Sequence, residues 1–512
     1  MSGRSKHAVL GLLADMGGNA LLIVVGLMAA PIILRLTSES LYGFWVTTIS
    51  VLGFLALTDI GIGISLTRLV AGMTNEQERP ALNRLVSSAF FSFCAAGFVF
   101  LLAGISISAF IPVWFKIPLA EASSIIPAYQ IAVFSGAIAL PLSIFGAIVT
   151  GFQRMVVDNS VRSLIGIIAV GIALGLLYAG MGIIALALSM LFTVIASSMI
   201  NFLYVRRLCP GLAIKIKLIN RHDLLRLFTF GGYFQLSRIA NTIAVSADSI
   251  IIATGKGAAM VTPYAFTSKL AVLFSINLAS KVPIAVFPAL SQMVALNQVK
   301  QLQRVFIFLT RYATRLAAVG AVFFILVNET FVSLWVGPQH FGGPLLNAVF
   351  VYWILQDTIY RGTTSLIYAL GDIRNWAMVT FAEAGINLSI SILLVGSLGL
   401  VGVALGTSIG KTLTTAWYGP YFTCKKLNLS ISRFLWDGVL YTIFRCLPGM
   451  GLTVWLSYVI PINHGWVWII IVGFATVLTN IVFFEGFEFF KPSSLPWRDR
   501  LRRLFMVDRG GL

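Results

Sequence analysis

The chain has 512 residues, 58% of them hydrophobic and 11% charged, with 36 Lys and Arg against 18 Asp and Glu. Soluble domains carry about 25% charged residues, so a water-soluble enzyme is excluded. A nucleic-acid binder is excluded as well, because such proteins gather basic residues on polar faces, and here the basic residues fall between long apolar runs.

A helix needs about 20 apolar residues to cross about 30 Å of hydrocarbon. Fourteen such runs are read along the chain: 9–34, 42–66, 85–111, 124–149, 160–179, 182–205, 228–253, 263–290, 312–336, 346–369, 376–396, 399–423, 434–460 and 465–490. The sequence therefore predicts an all-α integral membrane protein. The first run follows Arg4 and Lys6 but extends far beyond a signal-peptide core, so it is expected to be retained. Lys and Arg keep loops on the cytoplasmic side. With the N-terminus inside, 27 basic residues fall in inner segments and three, Arg35, Lys116 and Lys256, in outer loops. One missed helix would invert every later loop, so both termini are expected inside.

The longest stretch outside the apolar runs is about 206–227, too short for a nucleotide-binding domain, and no phosphate loop ending in Gly-Lys-Ser/Thr is present. The histidines His7, His222, His340 and His464 and the cysteines Cys94, Cys209, Cys424 and Cys446 share no metal-ligand spacing. The expectation is a carrier rather than an enzyme, with no cofactor beyond H⁺ or Na⁺ as a coupling ion.

An offset of 220 residues superposes Gly151-Phe-Gln-Arg154 on Gly371-Asp-Ile-Arg374, Gly182 on Gly402, and Arg84 on Arg304. Gly17-Gly18 is answered by Gly231-Gly232, and Tyr42-Gly-Phe44 by Tyr264-Ala-Phe266. Six spans per copy give parallel repeats with the substrate path between them. The expected organisation is an N-lobe (8–205), a basic cytoplasmic linker (206–227), a C-lobe (228–424), two extra helices (434–490) and a basic tail (491–512).

An ionisable residue at mid-membrane costs about 2.5–3.5 kcal/mol on insertion scales, and it persists where it meets a partner or a wet cavity. Six cations lie inside runs. Arg238, Lys269, Lys281, Arg361 and Lys411 belong to the expected C-lobe and are read as a ladder of positive charge for an anionic substrate; Arg445 belongs to the extra helices, where Asp437 or a lipid headgroup would pair with it. Lys281 lies close enough to an end to snorkel, and Asp357 and Arg361 are spaced i, i+4 in the favourable order for an ion pair. The acids Asp15, Asp59, Asp248, Asp357 and Glu383 are candidates for ion coupling, because desolvated carboxylates take up protons or bind Na⁺. Asp59 also suits the cap of a tight turn, and Glu383 has no cation near it along its own run.

Tyr42-Gly-Phe-Trp45 and Asp59-Ile-Gly-Ile-Gly-Ile-Ser-Leu-Thr-Arg68, with the paired Gly151…Arg154 and Gly371…Arg374 segments, resemble the bacterial polysaccharide-biosynthesis flippases (O-antigen type) of the multidrug/oligosaccharidyl-lipid/polysaccharide exporter superfamily. The resemblance implies fourteen helices in two six-helix lobes plus two, in the bacterial inner membrane. It implies movement of a polyprenyl-diphosphate-linked oligosaccharide to the outer leaflet by ion-coupled alternating access. Expected partners are that substrate, membrane lipids and a polysaccharide polymerase, without nucleic acid. Two other readings stay open: an ion-coupled multidrug/cation antiporter of the same superfamily, which Asp15 would suit, and a non-transport scaffold of a polysaccharide synthesis complex.

Overall fold

The computed structural model describes residues 3–55, 57, 61–73, 75–229, 232–459 and 465–489; side chains are described from residue 17 onward, except at 76, 119–120, 229, 232–235, 238, 245 and 484–489. Among the described residues all regular structure is helical. Ten helical segments are long and apolar enough to cross a membrane. The apolar runs outnumber them for local reasons. The segment Ile373–Lys426 contains two runs, the helix Glu39–Leu55 is short, and the helices Gly232–Lys256 and Pro344–Ala369 are long but more polar. The chain divides into two compact units, Met1–Thr262 and Pro263–Leu512.

The first unit contains α1 (Gly3–Leu36), α2 (Glu39–Leu55), α3 (Ile62–Ala71), α4 (Arg79–Ser108), α5 (Ile111–Trp114), α6 (Leu119–Gly151), α7 (Met155–Tyr178), α8 (Ile184–Leu208), α9 (Arg221–Thr229) and α10 (Gly232–Lys256). Helix α6 is its centre and packs against α4 and α8. In lipid there is little hydrophobic force between helices, so close approach of small residues takes its place. A Cβ on Gly97 would stand 2.5 Å from the Ala137 carbonyl, and Gly136 lies against the Phe100 ring. Helix α1 lies on α7, where Gly18 meets Ser163. Helix α10, which holds the run expected to open the second lobe, packs along α2 inside the first unit, with Gly53 against Ser246.

The basic linker is strapped to the start of α4 by side-chain to backbone hydrogen bonds. Arg79 donates to the Pro210 carbonyl, and Asn83 Oδ1 accepts from the Ala213 amide at 3.2 Å. Ser87 and Ser88 accept from the amides of Lys215 and Asn220, each at 3.1 Å. These bonds satisfy backbone groups that an irregular segment would otherwise leave exposed.

The second unit contains α11 (Val261–Val272, from Pro263 onward), α12 (Lys281–Ala295), α13 (Val299–Trp335), α14 (Pro344–Ala369), α15 (Ile373–Leu413), α16 (Thr415–Lys426), α17 (Ile431–Arg433), α18 (Tyr441–Val459) and α19 (Trp466–Phe489). A π-helical turn, Leu273–Ala279, joins α11 to α12, and a second, Phe434–Leu440, leads into α18. Helices α18 and α19 pair with each other and pack on α13; Gly449 meets the Thr479 backbone and Gly438 meets Thr310. At one end, Leu290, Met293, Phe306, Leu309, Leu366 and Phe434 form an apolar core, with Phe306 and Phe434 stacked at 5.2 Å between centroids.

Helix α15 is a hairpin rather than a rod. Gly399 has φ 57 and ψ −130, which breaks the helix and folds its second half back along the first. Gly402, Gly406 and Gly410 then form a stripe, i, i+4, i+8, against Leu394, Ser391 and Asn387. A Cβ on Gly402 would lie 2.5 Å from the Leu394 carbonyl, so this approach needs glycine. The repeat landmarks fall at equivalent corners. Arg79 opens α4 and Val299 opens α13, 220 residues apart, while Gly151 and Gly371 both stand at helix ends.

Candidate functional site

The hairpin in α15 sets the site. Glu383 lies on its first half and Lys411 near the end of its second, and the glycine stripe brings them to 3.9 Å (Nζ to Oε1). Helix α14 lies beside the hairpin and contributes Asp357 and Arg361 one turn apart. Asp357 is 1% exposed and accepts three hydrogen bonds: from Arg361 Nε at 2.7 Å, from Lys411 Nζ at 2.5 Å, and from Ser275 Oγ at 2.5 Å. Ser275 is delivered by the π turn, whose extra residue per turn redirects its side chain. Glu383 accepts a hydrogen bond from Thr415 Oγ1 at the start of α16.

An aromatic wall closes one side. The Lys411 ammonium stands 4.5 Å from the Tyr360 ring centroid, a cation–π contact. Tyr360 stacks on Trp376 at 5.6 Å, and Trp376 meets Tyr418, whose hydroxyl donates to Asp372 at 2.9 Å. Beside the cluster runs a polar face. Tyr352 Oη bonds Thr412 Oγ1 at 2.9 Å, and Gln356 donates to the same hydroxyl at 2.7 Å and to the Ser408 carbonyl at 3.2 Å. Tyr352 is 46% exposed, a placement more natural beside water than beside acyl chains.

Two cations and two carboxylates make the cluster formally neutral. Such pairing is what a charge inside hydrocarbon requires, since an uncompensated one is costly. Asp357 and Arg361 pair within α14, and Lys411 joins the same carboxylate from 54 residues away. Four of the residues singled out by sequence, Asp357, Arg361, Glu383 and Lys411, are thus brought together, with acids and bases in one network rather than in separate sets.

The others stand apart. Lys269 is exposed near the end of α11, and Lys281 is partly exposed at the first position of α12. Asp248 is partly buried on α10 in the first unit. The side chains of Arg238 and Asp15, and residue Asp59 altogether, lie outside the described residues. Arg445 does not take Asp437, which pairs with Arg433 at 3.3 Å; instead Arg445 donates to Tyr441 Oη at 3.1 Å and lies over its ring.

Three members of the site were not legible in the sequence. Ser275 depends on the π turn, and Tyr360 is one aromatic among many. Thr415 could have been found, since it lies four residues after Lys411. The first unit holds a smaller counterpart that was also missed: Asp158, 4% exposed, binds Arg162 Nε at 3.0 Å and Asn201 Nδ2 at 2.7 Å, between α7 and α8.

Comparison with known proteins agrees with this architecture. A Shigella flexneri protein named as a putative O-antigen transporter is 24% identical over 381 residues, which cover 72% of this chain and 86% of that protein. Among solved structures, a lipid II flippase MurJ in an inward closed conformation matches with a TM-score of 0.68 at 14% identity, covering 96% of this chain and all of that one. An inward-facing multidrug resistance transporter of the MATE family, in the MOP superfamily, matches with a TM-score of 0.61 at 14% identity, covering 84% and 95%. These likenesses establish the fold. Residues 14–294, more than half of the chain, match the family described as polysaccharide biosynthesis protein, and the chain belongs to that family of multi-pass membrane proteins.

Proposed function

We propose that the chain is a flippase that carries a polyprenyl-diphosphate-linked oligosaccharide from the cytoplasmic to the outer leaflet of the bacterial inner membrane, for export of a surface polysaccharide. The observation that carries the reading is the Asp357–Arg361–Lys411–Glu383 cluster beside a polar, exposed face. Guanidinium and ammonium groups are the natural ligands of a diphosphate, and hydroxyl and amide groups such as Tyr352, Gln356 and Thr412 suit sugars. Family membership and the name of the Shigella relative support the same substrate class.

In this reading the protein is a carrier, not an enzyme. Two lobes alternate access to a central path while the lipid tail stays in the bilayer. Arg361 and Lys411 hold the diphosphate, with Arg238, Lys269 and Lys281 as further cationic steps along the path. Transport is coupled to H⁺ or Na⁺ through Asp357 and Glu383, with Asp248, Asp59 and Asp15 as the remaining acidic candidates. Both termini lie in the cytoplasm, and a polysaccharide polymerase consumes the product.

The test is export of the polymer by cells that lack their own flippase and carry this chain. Arg361→Gln and Lys411→Met, singly and together, abolish surface polymer while the protein remains in the membrane. Normal export by the folded double variant refutes the assignment of these cations to the substrate. The likeness to a MATE transporter favours a second reading, cation-coupled drug efflux. It predicts drug resistance in cells that carry the chain, with no effect on the polymer.

A further inference from the structure

The cations offered to a diphosphate are already occupied. Asp357 Oδ2 takes Arg361, and Asp357 Oδ1 takes Lys411. A carboxylate and a phosphate oxyanion present the same charge and acceptor geometry to these donors. A diphosphate therefore cannot simply be added to the cluster, because a strongly anionic group would meet Asp357 and Glu383 at the same cations. One anion has to yield.

Asp357 is the one placed to do so. It bridges both cations directly, whereas Glu383 is held by Thr415 and stands 3.9 Å from Lys411. The groups around Asp357 are few. Arg361 and the hydroxyl of Thr358 face it from α14, Lys411 from α15, and Ser275 from the π turn, with Glu383 and the Tyr360 ring behind Lys411. Helix α13 meets α14 through Ala313 and Leu309, and α16 meets it through Gly419 against Thr363, so these bring no second cation to the carboxylate.

We propose that Asp357 is a built-in stand-in for the substrate phosphate. The diphosphate displaces its carboxylate from Arg361 and Lys411, and the freed carboxylate takes up one proton from the aqueous path. The balance is simple: the carboxylate gains one H⁺ from water, no covalent bond to substrate forms, and the charge change at the cations is offset by neutralising Asp357. Ser275 remains as a partner for the protonated acid. This deepens the flippase reading and rests on it: headgroup binding and proton uptake become one event.

The probe is inorganic pyrophosphate, titrated into the purified full-length protein. In the wild type, affinity falls about tenfold per pH unit relative to Asp357→Asn, the slope of one linked proton; using the difference cancels the ionisation of pyrophosphate itself. Asp357→Asn binds at least tenfold more tightly than wild type at neutral pH, since its side chain no longer competes as an anion. Glu383→Gln keeps the wild-type slope. Weaker binding by folded Asp357→Asn, an unchanged slope in that variant, or loss of the slope in Glu383→Gln instead, overturns the proposal.

If thermal melting shows that Asp357→Asn does not fold, calorimetry of the wild type in two buffers of different ionisation enthalpy counts the protons directly. Net uptake of about one proton supports displacement, and zero uptake or net release overturns it. Polymer export separates this failure from that of the underlying reading. Export that needs the chain, without proton-linked pyrophosphate binding, ends the displacement mechanism alone. Export that does not need the chain ends the flippase reading itself.

Discussion

Asp357 shows what the chain makes explicit at the scale of a residue and what it conceals. Its i, i+4 spacing to Arg361 predicts a helical ion pair, and the pair forms at 2.7 Å. The contact with Lys411, 54 positions away, leaves no mark in the sequence, because it depends on a hairpin whose turn is set by one glycine. Glu383 is the sharper case: no cation is near it along its run, yet Lys411 reaches it across that hairpin. Removing one member of a buried ion pair leaves an uncompensated charge and costs about 3–5 kcal/mol. Asp357→Ala strands both cations and is expected to lower the melting temperature more than Glu383→Ala, which leaves Lys411 with Asp357. Thermal unfolding in detergent checks the order of the two.

Elements are legible where apolar length dominates and obscure where geometry departs from a straight helix. The runs 376–396 and 399–423 are separate in the sequence because Leu398-Gly399 interrupts them, and the turn falls there. The π turn at Leu273–Ala279 has no such signal, since its residues are as apolar as their neighbours. The glycine stripe of α15 offers a direct test of what holds the hairpin together. A Cβ on Gly406 would collide with Ser391, while one on Gly385, on the outside of the same hairpin, meets nothing within 4 Å. Overpacking a tight contact costs about 1–3 kcal/mol, and replacing an exposed helical glycine by alanine gains about 0.5–1 kcal/mol. Gly406→Ala is expected to lower thermal stability and weaken polymer export, and Gly385→Ala to leave both intact or raise stability slightly. Equal behaviour of the two variants would show that the stripe does not set the hairpin.

For the whole molecule, the 220-residue offset carries the information that single motifs lack. The paired starts of α4 and α13, and the paired glycines at 151 and 371, place corresponding corners in both copies. The offset does not reveal where compact units divide, because α10 packs by its own surface, along α2. Orientation rests on charge, with the linker basic and the loop at Lys256 short. Cysteine labelling in intact cells turns this into a measurement. The native thiols interfere little: Cys209, Cys424 and Cys446 are buried, Cys94 is half-buried, and burial pushes the Cys209 thiol up from its usual range, against the opposing pull of Arg79. A thiol held protonated reacts slowly with maleimides, since the thiolate is the nucleophile. Lys217 is exposed on the strap over α4 and Lys256 closes α10. With the N-terminus inside, Lys256→Cys reacts with a membrane-impermeant maleimide in whole cells, and Lys217→Cys reacts only after the membrane is opened. The reverse pattern would place the basic strap outside, against the rule that retains positive loops in the cytoplasm, and would require the inward and outward ends of the transport path to be exchanged.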